Sequence, residues 1–65
     1  MTFYTTLKEA QTVSGNTVTA YKFTEKFSDH ENYGVMVSRE GIAFHVSTCA
    51  RTTWKRKFAE LAGEY

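Results

Sequence analysis

Hydrophobic and polar positions alternate along most of this chain, and the period changes near its end. In "TVTAYKFT", residues 17 to 24, β-branched and aromatic types recur at every second position, the pattern of a half-buried strand. Before it stands "SGN", in which Gly15 tolerates a positive φ, so Gly15-Asn16 reads as a two-residue turn. That turn sets Ala10 opposite Tyr21, Lys8 opposite Phe23 and Val13 opposite Val18. Residues 2 to 13 then form the first strand. The segment "TLKEAQ" also suits a helical turn, but Thr2, Thr5, Thr6 and Thr12 favour the extended form.

The polar stretch "SDHEN", residues 28 to 32, reads as a loop, and "YGVMVSREGIAFHVS" after it reads as a hairpin. Ile42, Phe44 and Val46 share one face at period two. Two registers are open for the preceding strand. A two-residue turn at Glu40-Gly41 adds Val35 and Val37 to that face. A three-residue turn, Arg39-Glu40-Gly41, with Gly41 in a left-handed bulge, adds Met36 instead. The first gathers five apolar side chains on one side and is preferred.

From residue 54 the period becomes helical. Trp54, Phe58, Leu61 and Tyr65 recur at i, i+4, i+7 and i+11, within one narrow stripe. Thr52 or Thr53 suits the start, and Gly63 suits the stop. The elements predict an α+β fold: a four-stranded antiparallel sheet of two hairpins, with one C-terminal helix packed on one face. Trp54, Phe58 and Leu61 are expected to rest on Ile42, Phe44, Val46, Tyr21 and Phe23.

Length and composition narrow the reading. Residues 1–65 make a single small domain. A chain of that size buries only roughly 60% of its unfolded surface. A deep catalytic cleft with a supporting shell does not fit, which favours binding over chemistry. A marginal core also makes self-association a common remedy. Apolar residues at 42% and aromatics at 15% exclude a disordered chain. Proline is absent and the glycines number four, so no segment reads as a linker. The single cysteine, Cys49, cannot close an internal disulfide. There is no apolar run near the roughly 20 residues a membrane span needs. The start "MTFYTTLKEA" lacks the pattern of a signal peptide. The expectation is a soluble cytoplasmic protein without membrane contact.

The net charge of +1 hides an uneven distribution. Residues 1 to 50 hold Lys8, Lys22, Lys26 and Arg39 against Glu9, Glu25, Asp29, Glu31 and Glu40, a sum of −1. Residues 51 to 65 hold Arg51, Lys55, Arg56 and Lys57 against Glu60 and Glu64, a sum of +2. A helix start already carries about half a positive charge, so each base there opposes folding by roughly 0.3–1 kcal/mol when exposed. Arg56 and Glu60 are also in the weaker i, i+4 order. Folding alone does not account for this arrangement, whereas an anionic partner would. The competing reading is a solvated face whose lysine stems cover the core edge.

Other constellations are weaker. Tyr4, Tyr21, Phe23, Phe27, Tyr33 and Phe44 would make a base-stacking platform if exposed, or fill the core if not. His45 and Cys49, with Arg51 near to lower the thiol pKa, would give a nucleophile and a base. Four extended residues span roughly 13 Å, which keeps the two apart. Asp29, His30 and Glu31 are adjacent in a polar loop without metal-ligand spacing, and phosphate-cradling glycine motifs are absent. No catalytic residue, metal or cofactor is assigned.

The resulting expectation is a non-enzymatic binding module, a regulator or inhibitor that meets the acidic surface of another protein through Arg51, Lys55, Arg56 and Lys57. The alternative is a nucleic-acid-binding module that uses the same bases, with Tyr4 and Tyr33 stacking or completing the interface. A homodimer through spare apolar surface is a third possibility.

Overall fold

The computed structural model describes residues 3–24 and 31–65. Strands β1 (Phe3–Gln11), β2 (Thr17–Thr24), β3 (Glu31–Arg39) and β4 (Ile42–Cys49) precede the helix α1 (Trp54–Glu64). The sheet runs in the order β1-β2-β3-β4 with every neighbour antiparallel, and α1 lies across its two central strands. The expected α+β architecture is therefore present. The expected loop at 28 to 32 differs in its last two residues: Glu31 and Asn32 belong to β3, and the rest of it lies outside the described residues.

The first hairpin has a wider loop than the two-residue turn expected. Gly15 N donates to Thr12 O at 3.0 Å, Thr12 N to Asn16 O at 2.8 Å, and Asn16 N to the Thr12 hydroxyl at 3.1 Å. Gly15 takes φ +88, whereas Asn16 does not take the second positive φ that a tight type I′ turn requires. Thr12–Asn16 thus closes on itself through the Thr12 side chain, and Val13 projects fully into solvent. Ala10 pairs with Val18 instead of Tyr21. A slip by an odd number of residues exchanges the faces of a strand. Tyr21 and Phe23 consequently leave the core side, and Val18 and Ala20 enter it.

Each hairpin also holds one bulge. In β1 the register slips between Thr6 and Lys8, so Leu7 is the extra residue. Leu7 then packs on the core, and Lys8 Nζ sits 5.1 Å from the Phe58 ring centre. In β4 the turn is Glu40-Gly41, with φ 54 and 82, as the preferred register has it. Arg39 pairs with Ile42 and Ser38 with Ala43, but Val37 pairs with His45 and Phe44 is left over. Past that bulge Met36 stands beside Val46, as the other register would have it. Val35 and Val37 are fully buried as expected. Ile42, Phe44 and Val46 are not core residues: they are 71%, 52% and 59% exposed.

The core is therefore narrower than the alternation suggests. Val18, Ala20, Val35 and Val37 form a flat patch at the centre of the sheet, and Phe58 and Leu61 cover it. Leu7, Ala10, Cys49, Trp54, Ala62 and Tyr65 pack around them. Each fully buried valine contributes about 1.5–3 kcal/mol. The stripe on α1 points inward as its spacing predicts, but it rests on this patch and not on Tyr21, Phe23 or Val46, which lie on the other face; Phe44 meets its last member, Tyr65.

The helix ends differ from the expected signals. Thr53 is the N-cap, yet its hydroxyl accepts from Ala50 N at 2.9 Å and makes no bond to the first turn. Gly63 lies within the helix, which closes through Tyr65 N donating to Leu61 O at 3.0 Å. The Tyr65 carbonyl oxygen accepts from the Thr12 hydroxyl at 3.0 Å and from Asn16 Nδ2 at 3.2 Å. These two bonds tie the first hairpin loop to the far end of α1.

Candidate functional site

Two surfaces remain after the core is accounted for: the outer side of α1 with the turn before it, and the sheet face that no helix covers. On the first, Arg51, Lys55 and Arg56 are exposed and Lys57 is half-buried. Lys57 Nζ lies 3.5 Å from Glu60 Oε1, so the acid expected to answer Arg56 answers its neighbour. Lys55 Nζ sits 5.8 Å from the Trp54 ring centre. Arg51 and Arg56 have no ion pair among the described residues. There is no acidic residue in the first turn of α1 to offset them against the helix dipole. A shallow hollow of about 120 Å³ between Thr48, Cys49, Thr53, Arg56, Lys57 and Glu60 brings the helix start against the end of β4.

The second surface carries the aromatic residues. Tyr4, Tyr21 and Phe23 form a cluster with ring centres 5.6 to 5.8 Å apart. Tyr21 pairs with Gly34, and a Cβ at Gly34 would stand 2.7 Å from the Tyr21 ring. The missing side chain is what lets the ring lie across β3. Tyr21 is only 8% exposed although no layer covers it. That burial is the main cause raising its phenol pKa above the ordinary 10.0. Beside the cluster, Tyr4, Thr6, Thr19, Tyr21, Met36 and Val46 line a groove of about 360 Å³.

The two tyrosines singled out from the sequence part company here. Tyr4 is 68% exposed and belongs to the open face. Tyr33 is 8% exposed, and its hydroxyl donates to Glu31 Oε2 at 2.9 Å. That bond, more than burial, holds its pKa above the ordinary value. A ring so enclosed has no free face for stacking. Phe44 instead meets Tyr65 edge to face at 5.7 Å, and Phe27 lies outside the described residues. Gly34 was the signal that sequence reasoning passed over, since a glycine inside a strand marks a close approach.

The Cys–His idea meets a different environment from the one expected. Partial burial pushes the Cys49 thiol above its ordinary 9.0, against the smaller opposing effect of the Lys57 charge. His45 Nε2 lies 2.9 Å from Ser47 Oγ, and the thiol lies 3.9 Å from the Ser47 carbonyl oxygen. No hydrogen bond joins Cys49 to His45. Among the described residues no group of three or more His, Cys, Asp or Glu could hold a metal ion. Asp29 and His30 lie outside those residues, and Glu31 pairs with Lys22 at 3.6 Å. No described helix is long and apolar enough to cross a membrane. No family model, curated protein or solved structure matches the chain.

Proposed function

We propose that this chain is a small binding module, a regulator or inhibitor that docks on an acidic protein surface in the cytoplasm. Arg51, Lys55 and Arg56 make the contact, and Lys57 is recruited from its pair with Glu60. The supporting observation is the set of exposed cations at the start of α1, where each opposes the helix dipole and no first-turn acid offsets them. Such an arrangement costs the isolated fold stability and is repaid by an anionic partner. Arginine is also among the residues that anchor protein interfaces.

The nucleic-acid reading uses the same bases but gains less from the geometry. Its phosphate contacts and its exposed ring, Tyr4, sit on opposite sides of the sheet. A strand held by Arg51 and Arg56 would have to wrap the sheet end to stack on Tyr4.

Photo-crosslinking in cells from a reactive residue at position 59, on the outer side of α1, separates the readings. The expected result is one protein recovered in near-stoichiometric yield, and its loss when Arg51, Lys55 and Arg56 are changed to Glu. Recovery that ignores those changes would sink the proposal. A gel shift of single- or double-stranded oligonucleotides at low salt, falling steeply as salt rises, would favour the nucleic-acid reading instead.

A further inference from the structure

We propose that the open sheet face is a self-association surface, on which a second copy of this chain packs sheet against sheet. The inference is independent of the role given to α1, because it concerns the opposite side of the molecule.

Strand alternation places Tyr4, Thr6 and Glu9 of β1, Thr19, Tyr21 and Phe23 of β2, Gly34 and Met36 of β3 and Val46 of β4 at the middle of this face, with the uncharged polar Gln11, Thr17, Asn32, Ser38 and Thr48 around them. The chain has eight Lys and Arg and seven Asp and Glu, yet among the described open-face positions only Glu9, on the edge strand, is charged. Interface centres are depleted of charge in this way and enriched in Tyr, Phe and Met. A face with almost no charge offers nothing for an acidic or basic partner to complement. It can meet another neutral face without stranding a buried ion at its centre.

Shape points to a copy of itself. Tyr4 on β1 and Val46 on β4 are both exposed and both line the groove of about 360 Å³, whose lining also includes Thr19 and Tyr21. A two-fold rotation lets the exposed Tyr4 or Val46 of each copy enter the groove of the other, and aligned sheets pack about 10 Å apart. Four strands at roughly 4.8 Å spacing and roughly 26 Å length present about 500 Å². Two copies would bury about 1,000 Å², the lower limit of a specific interface, so the dimer is a weak one. The need is also visible in the monomer, whose buried hydrophobic cluster among the described residues is the small set Val18, Ala20, Val35, Val37, Phe58 and Leu61.

Sedimentation equilibrium of the intact chain, from about 5 µM to about 500 µM, tests this. The wild type should move from monomer to dimer over that range. Val46→Lys and Thr6→Lys, at opposite sides of the groove, should each weaken the dimer by about tenfold or more. Both positions are exposed, and circular dichroism would confirm that the variants keep the fold. A wild type that stays monomeric throughout overturns the proposal. So does a dimer that neither change weakens. A dimer weakened by Val46→Lys alone overturns it as well, because that result assigns the contact to the edge of β4.

Discussion

The two faces of this sheet bury apolar surface in different ways. The covered face is aliphatic: Val18, Ala20, Val35 and Val37 offer a shallow surface into which Phe58 and Leu61 press. The open face is aromatic: Tyr4, Tyr21 and Phe23 pack side by side, and Tyr21 becomes nearly as buried as Phe58, at 8% against 5% exposed. Short β-branched side chains cannot shield one another and need a second layer. Large rings lying across a strand shield their neighbours and themselves. The helix accordingly goes to the side where its own rings supply the missing bulk.

The contrast is broken most directly by truncation. Phe58→Ala removes the ring that seals the valine patch and is expected to cost about 3–5 kcal/mol, enough to unfold much of so small a domain. Val46→Ala on the open face should stay within about 0.5 kcal/mol. Urea denaturation followed by circular dichroism measures both. Equal losses would mean that the faces do not differ as described.

A smaller effect tests how the open face is held. Gly34→Ala forces a methyl group to within 2.7 Å of the Tyr21 ring unless the ring moves. The expected cost is about 1–3 kcal/mol. In a Tyr21→Ala background the same change should be neutral or favourable, since alanine suits a strand interior better than glycine. A coupling energy near zero in this double-mutant cycle would show that the ring does not depend on the gap at Gly34.

Alkaline pH should loosen both faces. Burial raises the pKa of Tyr21 on the open face and of Cys49 on the covered face. The native state therefore holds these protons more tightly than the unfolded chain does. The associated stability is fully present below the unfolded values of 9.0 and 10.0 and is lost as pH rises through the higher folded values. The urea midpoint should fall above about pH 9, and Cys49→Ala should remove the part of the slope that begins first. A midpoint flat from neutral to strongly alkaline pH would contradict the assigned burial.

The sequence made some of this legible and hid the rest. The strand at 17 to 24, the Glu40-Gly41 turn and the helical stripe of Trp54, Phe58, Leu61 and Tyr65 follow from local period and turn chemistry, which act within a few residues. Which side of each strand faces the helix does not. It depends on the loop Thr12 closes, and on the single extra residues Leu7 and Phe44. Each shifts the alternation by an odd number of positions, and no local propensity announces a bulge. For the same reason the basic segment was visible as a candidate surface, whereas the groove was not. Its walls come from all four strands and exist only once the register is known.

The mildest perturbation concerns the outer side of the layer that covers the valines, and its sign is unusual. Arg56 is exposed in the first turn of α1 and has no ion pair among the described residues, so its charge faces the positive end of the helix dipole without compensation. Arg56→Gln keeps a long side chain of good helix propensity and removes that charge. Stability should rise by about 0.3–1 kcal/mol at low ionic strength, and the gain should shrink as salt screens the dipole. Affinity for the proposed acidic partner should fall in the same variant. A loss of both stability and binding would make Arg56 a structural residue, and a gain of stability with binding untouched would leave its position without a function. Only the opposed pair of changes is what a surface held in reserve for an anion produces.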